Sequence, residues 1–183
     1  MYLFIDTSQT KCNLALFDEG KIIESFSVPT LNNLTDMVVE EIDSLLSKND
    51  IDKQSISRIY LTTGPGSFTG VRVGCLVAKA WSIVRNIEIY AIDSLRLQVV
   101  GDGISLLDAR GQNFYHAEYK GETVIVEPEM IPKDEADKLI ASKAKKFIDY
   151  ENVDIFDNLL KSLQLFKKIS VSDLNPLYIK APV

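Results

Sequence analysis

The sequence predicts an α/β protein built from two βββαβα units in tandem, the second reduced. Three observations lead there. The first thirty residues contain three β-type runs. From Leu34 the apolar spacing changes to a helical one, and strand, helix and strand then follow as far as Asp93. After Asp93 the same order of elements returns in shortened form.

In the first unit, Tyr2–Asp6 reads as a buried strand, and Asn13–Asp18 with Lys21–Val28 as a hairpin closed by Asp18-Glu19-Gly20. Leu34, Val38, Val39, Ile42, Leu45 and Leu46 then fall on one side of a helix, with Asp36, Glu40, Glu41 and Asp43 elsewhere and Asn33 or Thr35 as caps. Ser55–Thr63 reads as a strand, the run GPGSFTG as a loop, Val71–Val84 as a nearly all-apolar helix, and Ile87–Asp93 as another strand. In the second unit, Ile104–Ala109, Gln112–Tyr119 and Glu122–Val126 read as strands. Asp134–Ser142, Lys146–Tyr150 and Phe156–Phe166 follow as helix, strand and helix. The repeat lies in the order of elements, not in the residues. It predicts an N-terminal lobe over 1–93 and a smaller C-terminal lobe over 94–183, joined near Asp93-Ser94 within one body.

At 183 residues, 46 % apolar and 25 % charged, the chain has the balance of a globular domain. Its 20 basic and 26 acidic residues give a net charge of −6, which opposes autonomous binding to RNA or an anionic membrane, since such binding draws on clustered cations. Cys12 and Cys75 form no CxxC pair and suit a reducing compartment. His116 is the single histidine, so a metal site would have to rest almost wholly on carboxylates. No apolar run approaches the ~20 residues that cross a bilayer, and the opening MYLFIDTSQT carries no basic leader. A cytoplasmic protein is expected.

The most informative run is Gly64-Pro65-Gly66-Ser67-Phe68-Thr69-Gly70, continuing through Val71-Arg72-Val73-Gly74. A dinucleotide loop needs GxGxxG, but three residues separate Gly66 from Gly70. A Walker loop needs Lys after glycine, and Val71 follows Gly70. The hydrolase elbow GxSxG also fails, because Pro65 and Thr69 flank Ser67. One reading is a turn with close packing; the other is an anion held at a helix start. Gly70, Gly74, Ala78 and Trp81 fall at i, i+4, i+8 and i+11, a stripe of small residues ending in a large aromatic. It would admit a second helix closely, from this chain or a partner. Because Val71, Val73, Leu76, Val77, Ile83 and Val84 are also apolar, this helix is expected to have more than one covered face, and the chain's own sheet can cover only one of them.

Other candidates have both plain and sharper readings. Asp6-Thr7-Ser8 ends the first strand, where a carboxylate could meet magnesium and phosphate or serve the turn itself. Asp108-Ala109-Arg110 reads as a turn with an Asp/Arg pair, or as a polar contact in an interlobe cleft. His116 shares a strand face with Phe114 and Glu118, and a hydrogen-bonded structural histidine accounts for it better than a general base without a partner. The lysines at 143, 145, 146, 161, 167 and 168 read as a solvated face.

Asp6-Thr7-Ser8, GPGSFTGVRVG from Gly64 to Gly74, DARGQNFY from Asp108, and Asn175-Pro176-Leu177-Tyr178-Ile179-Lys180 occur in this order over essentially the whole chain. In combination they resemble the TsaB (YeaZ) family. The resemblance implies the two-lobed actin/sugar-kinase/Hsp70-like fold and a part in forming N6-threonylcarbamoyladenosine in tRNA beside the anticodon. It implies a noncatalytic, dimerising subunit that pairs with TsaD, joined by the ATPase TsaE and meeting tRNA only through the complex. Catalytic TsaD-like members carry an HxxxH metal pair on their first major helix; here Leu34–Lys48 has no histidine. No catalytic residue, metal site, membrane contact or cofactor is therefore expected in the isolated chain, and nucleotide at a shared interface is left open. Peptide hydrolysis is disfavoured on the same ground. The family's pairing surfaces correspond to the helices Leu34–Lys48 and Thr69–Arg85, where the stripe Gly70, Gly74, Ala78 and Trp81 is the expected region of close packing. Many relatives carry His-Ser or His-Thr before the first helix; here Asn32-Asn33-Leu34-Thr35 matches only at Thr35. The rival reading is an autonomous nucleotide-dependent enzyme of the same fold, using Asp6 and the glycine loop.

Overall fold

A computed structural model describes residues 1–30 and 33–179; Asn32 and Lys180, named above, lie outside the described residues. The N-terminal unit comprises β1 (Tyr2–Asp6), β2 (Lys11–Asp18), β3 (Lys21–Pro29), α1 (Leu34–Lys48), β4 (Arg58–Thr62), α2 (Phe68–Arg85) and β5 (Glu88–Ile92). A short α3 (Ser94–Gln98) leads to β6 (Gly103–Arg110), β7 (Asn113–Lys120), β8 (Thr123–Pro132), α4 (Lys133–Ala141), β9 (Lys146–Ile148), α5 (Ile155–Lys161) and β10 (Lys167–Ile169). One sheet has the order β10-β5-β4-β1-β2-β3 and the other β8-β7-β6-β9. β1 pairs antiparallel with β2 and parallel with β4, β4 runs parallel to β5, and β10 closes the edge antiparallel. Two sheets with repeated βββαβα order are the arrangement that the expected actin/sugar-kinase/Hsp70-like fold requires.

The central strands β1, β2 and β4 of the first sheet are buried on both sides, which is why they read as near-continuous apolar runs. Strand alternation sends Leu3, Ile5, Leu14, Leu16, Ile59 and Leu61 into one core with α1 and α2, while Phe4, Ala15, Phe17 and Tyr60 enter another with Ile155, Leu159 and Phe166. In the second sheet, Leu107, Ala117 and Tyr119 pack with Leu95 and Val99 of the α3 region. Ile104, Leu106 and Ile131 pack with Ala136 of α4.

The last part of the smaller C-terminal lobe expected over 94–183 lies against the first sheet, and two element boundaries are corrected. α5 packs on the first sheet, β10 hydrogen-bonds to β5, and Leu174 joins the α1–α2 core, so the chain returns to the N-terminal lobe. The helix expected over Phe156–Phe166 stops at Lys161. Ser162 turns its hydroxyl back onto the Asn158 carbonyl, a 3₁₀ turn spans Leu163–Leu165, and β10 begins two residues later. The strand expected over Glu122–Val126 extends to Pro132. Pro128 is tolerated in it because β8 is an edge strand and the register shifts beside this residue.

Candidate functional site

The two segments singled out in the sequence meet. The β1–β2 turn and the loop before α2 close on one another across sixty residues of chain. Ser67 N–H donates to the Ser8 carbonyl at 2.7 Å, Thr7 Oγ1 donates to the Gly70 carbonyl at 2.7 Å, and Gln9 Nε2 reaches the Pro65 carbonyl at 3.2 Å. Close approach sets the need for glycine. A Cβ on Gly66 would stand 2.0 Å from the Ser8 carbonyl oxygen, and one on Gly70 would stand 1.9 Å from that of Thr7. Ser67 also caps α2, its Oγ accepting from Gly70 N–H at 3.2 Å. Gly64 takes φ +93°, and its carbonyl accepts from Ser94 N–H at 2.8 Å. The loop is thus a lock between β1 and α2.

Asp6 is fully buried at the centre of this lock. Its Oδ1 accepts from Ser8 N at 3.0 Å, Ser8 Oγ at 2.7 Å and Thr62 Oγ1 at 2.6 Å, and its Oδ2 accepts from Asn13 Nδ2 at 3.2 Å. Four donors within the chain occupy both oxygens, as the strand-end reading expects. Asp6→Asn should lower stability by only about 1–2 kcal/mol. The new amide replaces Oδ2 opposite Asn13, whose own amide can invert, leaving the three donors on Oδ1 served. Urea unfolding measures the change.

Between the lobes lies a cleft of about 1250 Å³, walled by Gln9, Asn13, Ser27 and Ser67 on one side and by Asp108, Arg110, Asp149 and Asp154 on the other. Its carboxylates serve backbone N–H groups: Asp108 accepts from Arg110 N, Asp149 from Asp108 N, and Asp154 from Phe156 N and Asp157 N. Burial pushes the Asp149 carboxyl above its ordinary value, while the Asp108 N–H works against that shift. Asp108-Ala109-Arg110 thus ends β6 just before the Gly111-Gln112 turn and forms part of the cleft wall, with Asp108 bonded to the Arg110 backbone N–H in place of the expected Asp/Arg charge pair. His116 is buried on β7 between Glu129 (Nδ1 at 3.1 Å) and Glu118 (Nε2 at 3.3 Å), the structural placement expected for it.

Of the stripe Gly70, Gly74, Ala78 and Trp81, the three small residues face inward and Trp81 is half-buried at its end. Gly70 abuts Thr7, a Cβ on Gly74 would come 2.8 Å from Thr7 Oγ1, Ala78 is fully buried, and Trp81 packs partly against the core. The element that approaches closely is strand β1 of the same lobe, and a bulky residue at Gly74 would disturb the fold before any assembly. The outward face of α2 carries Phe68 (58 % exposed), Leu76 (61 %), Ile83 (71 %) and Val84 (79 %), with Val39 (44 %) on neighbouring α1. The i, i+8, i+15 spacing of Phe68, Leu76 and Ile83 could have marked this face in the sequence. Charge divides the helix pair: α2 holds Arg72, Lys79 and Arg85 with no carboxylate, whereas α1 holds Asp36, Glu40, Glu41 and Asp43.

A family model described as TsaD: tRNA N6-adenosine threonylcarbamoyltransferase matches residues 30–168. The uncharacterized protein MG208 homolog of Mycoplasma pneumoniae is 33 % identical over 99 % of this chain and 95 % of its own length. The tRNA threonylcarbamoyladenosine biosynthesis protein TsaB of Bacillus subtilis is 33 % identical over 68 % of this chain, a match that spans 57 % of that protein's length. In structure, YeaZ from Pseudomonas aeruginosa superposes with a TM-score of 0.80 at 16 % identity, covering 97 % of this chain and 99 % of that one. That likeness is one of fold.

Proposed function

We propose that this chain, which belongs to the family described as TsaD: tRNA N6-adenosine threonylcarbamoyltransferase and stands with its TsaB (YeaZ) members, is a noncatalytic subunit of the machinery that forms N6-threonylcarbamoyladenosine in tRNA. It pairs with a TsaD-type catalytic subunit through the outward faces of α1 and α2, works beside TsaE in the larger assembly, and reaches tRNA only through that assembly, in the cytoplasm. The observation that carries this reading is the apolar face of Phe68, Leu76, Ile83 and Val84, which a single sheet cannot cover. The absence of histidine from α1 supports a noncatalytic role, since the catalytic members' metal pair has no counterpart there. The charge division of the helix pair supports self-association through the same surface, with acidic α1 of one copy against basic α2 of another, so that homodimer and heterodimer compete.

The rival reading of an autonomous nucleotide-dependent enzyme has the interlobe cleft in its favour. Against it stand the engaged Ser67 N–H, the fourfold occupancy of Asp6, and a wall of carboxylates where phosphate would lie. Light scattering of the purified chain mixed with its TsaD-type partner should give the summed mass. Absence of a complex, with or without tRNA and nucleotide, overturns the proposal, and tight ATP–magnesium binding with turnover by the isolated chain establishes the rival.

A further inference from the structure

We infer that Arg72, clamped by Phe68 and Tyr178, is the specificity-determining anchor of the α2 face, and that it receives a carboxylate which the catalytic partner presents from an apolar surface. This rests on the pairing proposed above and names the chemistry of its recognition point.

Arg72 is exposed near the start of α2, four residues from Phe68 and four from Leu76. Its guanidinium carbon lies 3.7 Å from the centre of the Phe68 ring, and its Nε donates to the Tyr178 hydroxyl at 2.8 Å. The two rings lean together with centroids 5.7 Å apart. Tyr178 is itself held in place, because the preceding residue, Leu177, donates its N–H to the Thr63 carbonyl at 2.7 Å, fastening the C-terminal segment to the glycine loop. Stacking on one ring and a hydrogen bond at Nε fix the guanidinium plane and leave the Nη1/Nη2 edge unengaged, with no carboxylate paired to Arg72 among the described residues. That edge matches the two oxygens of a carboxylate.

The surroundings select the occupant. Phe68, Leu76, Leu177 and Tyr178 form the exposed neighbourhood, and α2 has no acidic residue of its own to neutralise the charge. A partner that buries this patch must bring apolar side chains and one acid, or leave a desolvated cation unpaired. Arginine and tyrosine held rigid before binding lose little entropy on association, which is how a few residues come to dominate an interface.

The test is the affinity of the purified full chain for its TsaD-type partner, measured by calorimetry at low and high sodium chloride, with circular dichroism melts as controls. Arg72→Gln should weaken binding roughly thirtyfold or more and flatten its salt dependence, with melting unchanged. Arg72→Lys, which keeps the charge and loses the fork, should recover only part of the affinity. Tyr178→Phe, which keeps the ring and removes the acceptor at Nε, should weaken binding by a smaller factor. Wild-type affinity or an unaltered salt slope in Arg72→Gln overturns the anchor while leaving the pairing intact; no binding by the wild-type chain overturns both.

Discussion

Gly70→Ala should destabilise the fold by about 2–3 kcal/mol, a fall in melting temperature of roughly 5–10 °C for a chain of this size. The sign is the informative part. Near the start of a helix, alanine ordinarily gains up to about 1 kcal/mol over glycine, because glycine surrenders more backbone freedom on folding. Here the added carbon would stand 1.9 Å from the Thr7 carbonyl oxygen and 3.1 Å from its carbon, both of them backbone atoms. The same residue holds Gly70 from the other side, Thr7 Oγ1 donating to the Gly70 carbonyl at 2.7 Å, so α2 cannot withdraw from β1 without losing that bond. At Gly74 the nearest atom to an added carbon is the Thr7 hydroxyl at 2.8 Å, a side-chain atom that can shift at the expense of its bond to the Gly70 carbonyl, and Gly74→Ala should cost less. Thermal and urea unfolding of both variants check the order. A Gly70→Ala protein that melts at or above the wild-type temperature would remove the lock as the reason for the glycine.

The lock also shows where the sequence stops being legible. α1 could be read from its period, and β1 and α2 as bounded apolar runs of strand and helix length; α1 begins and ends at the residues expected, Leu34 and Lys48. α3 and β10 are too short for any period; the three residues of β10 form a strand only because β5 offers an edge to pair with. The return of the chain to the first lobe is invisible for the same reason. At the candidate site the glycine run announced close approach without naming what approaches, since the answer, the β1–β2 turn, lies some sixty residues upstream. α2 presented two stripes, one small and one large. Only the position of the sheet decides that the small stripe packs on β1 and the large one faces outward.

That division makes Leu76→Glu the sharpest test of the outward face. In the free chain the substitution should be harmless or slightly favourable. Leu76 is 61 % exposed, and the new carboxylate would sit four residues after Arg72 and three before Lys79, pairs worth a few tenths of a kcal/mol on an isolated helix. In the complex the same group would be taken out of water among Phe68, Ile83 and the partner's apolar side chains, and its charge would compete for the Arg72 guanidinium. A desolvated, mispaired carboxylate costs roughly 3 kcal/mol or more, so affinity for the TsaD-type partner should fall at least about a hundredfold while the melting temperature holds. Calorimetric titration alongside melting of the free chain separates the two effects. Undiminished binding would mean that the partner lies elsewhere, and a lowered melting temperature would mean that Leu76 contributes to the fold of the free chain. Only loss of binding at constant stability fits a surface left apolar for a second protein.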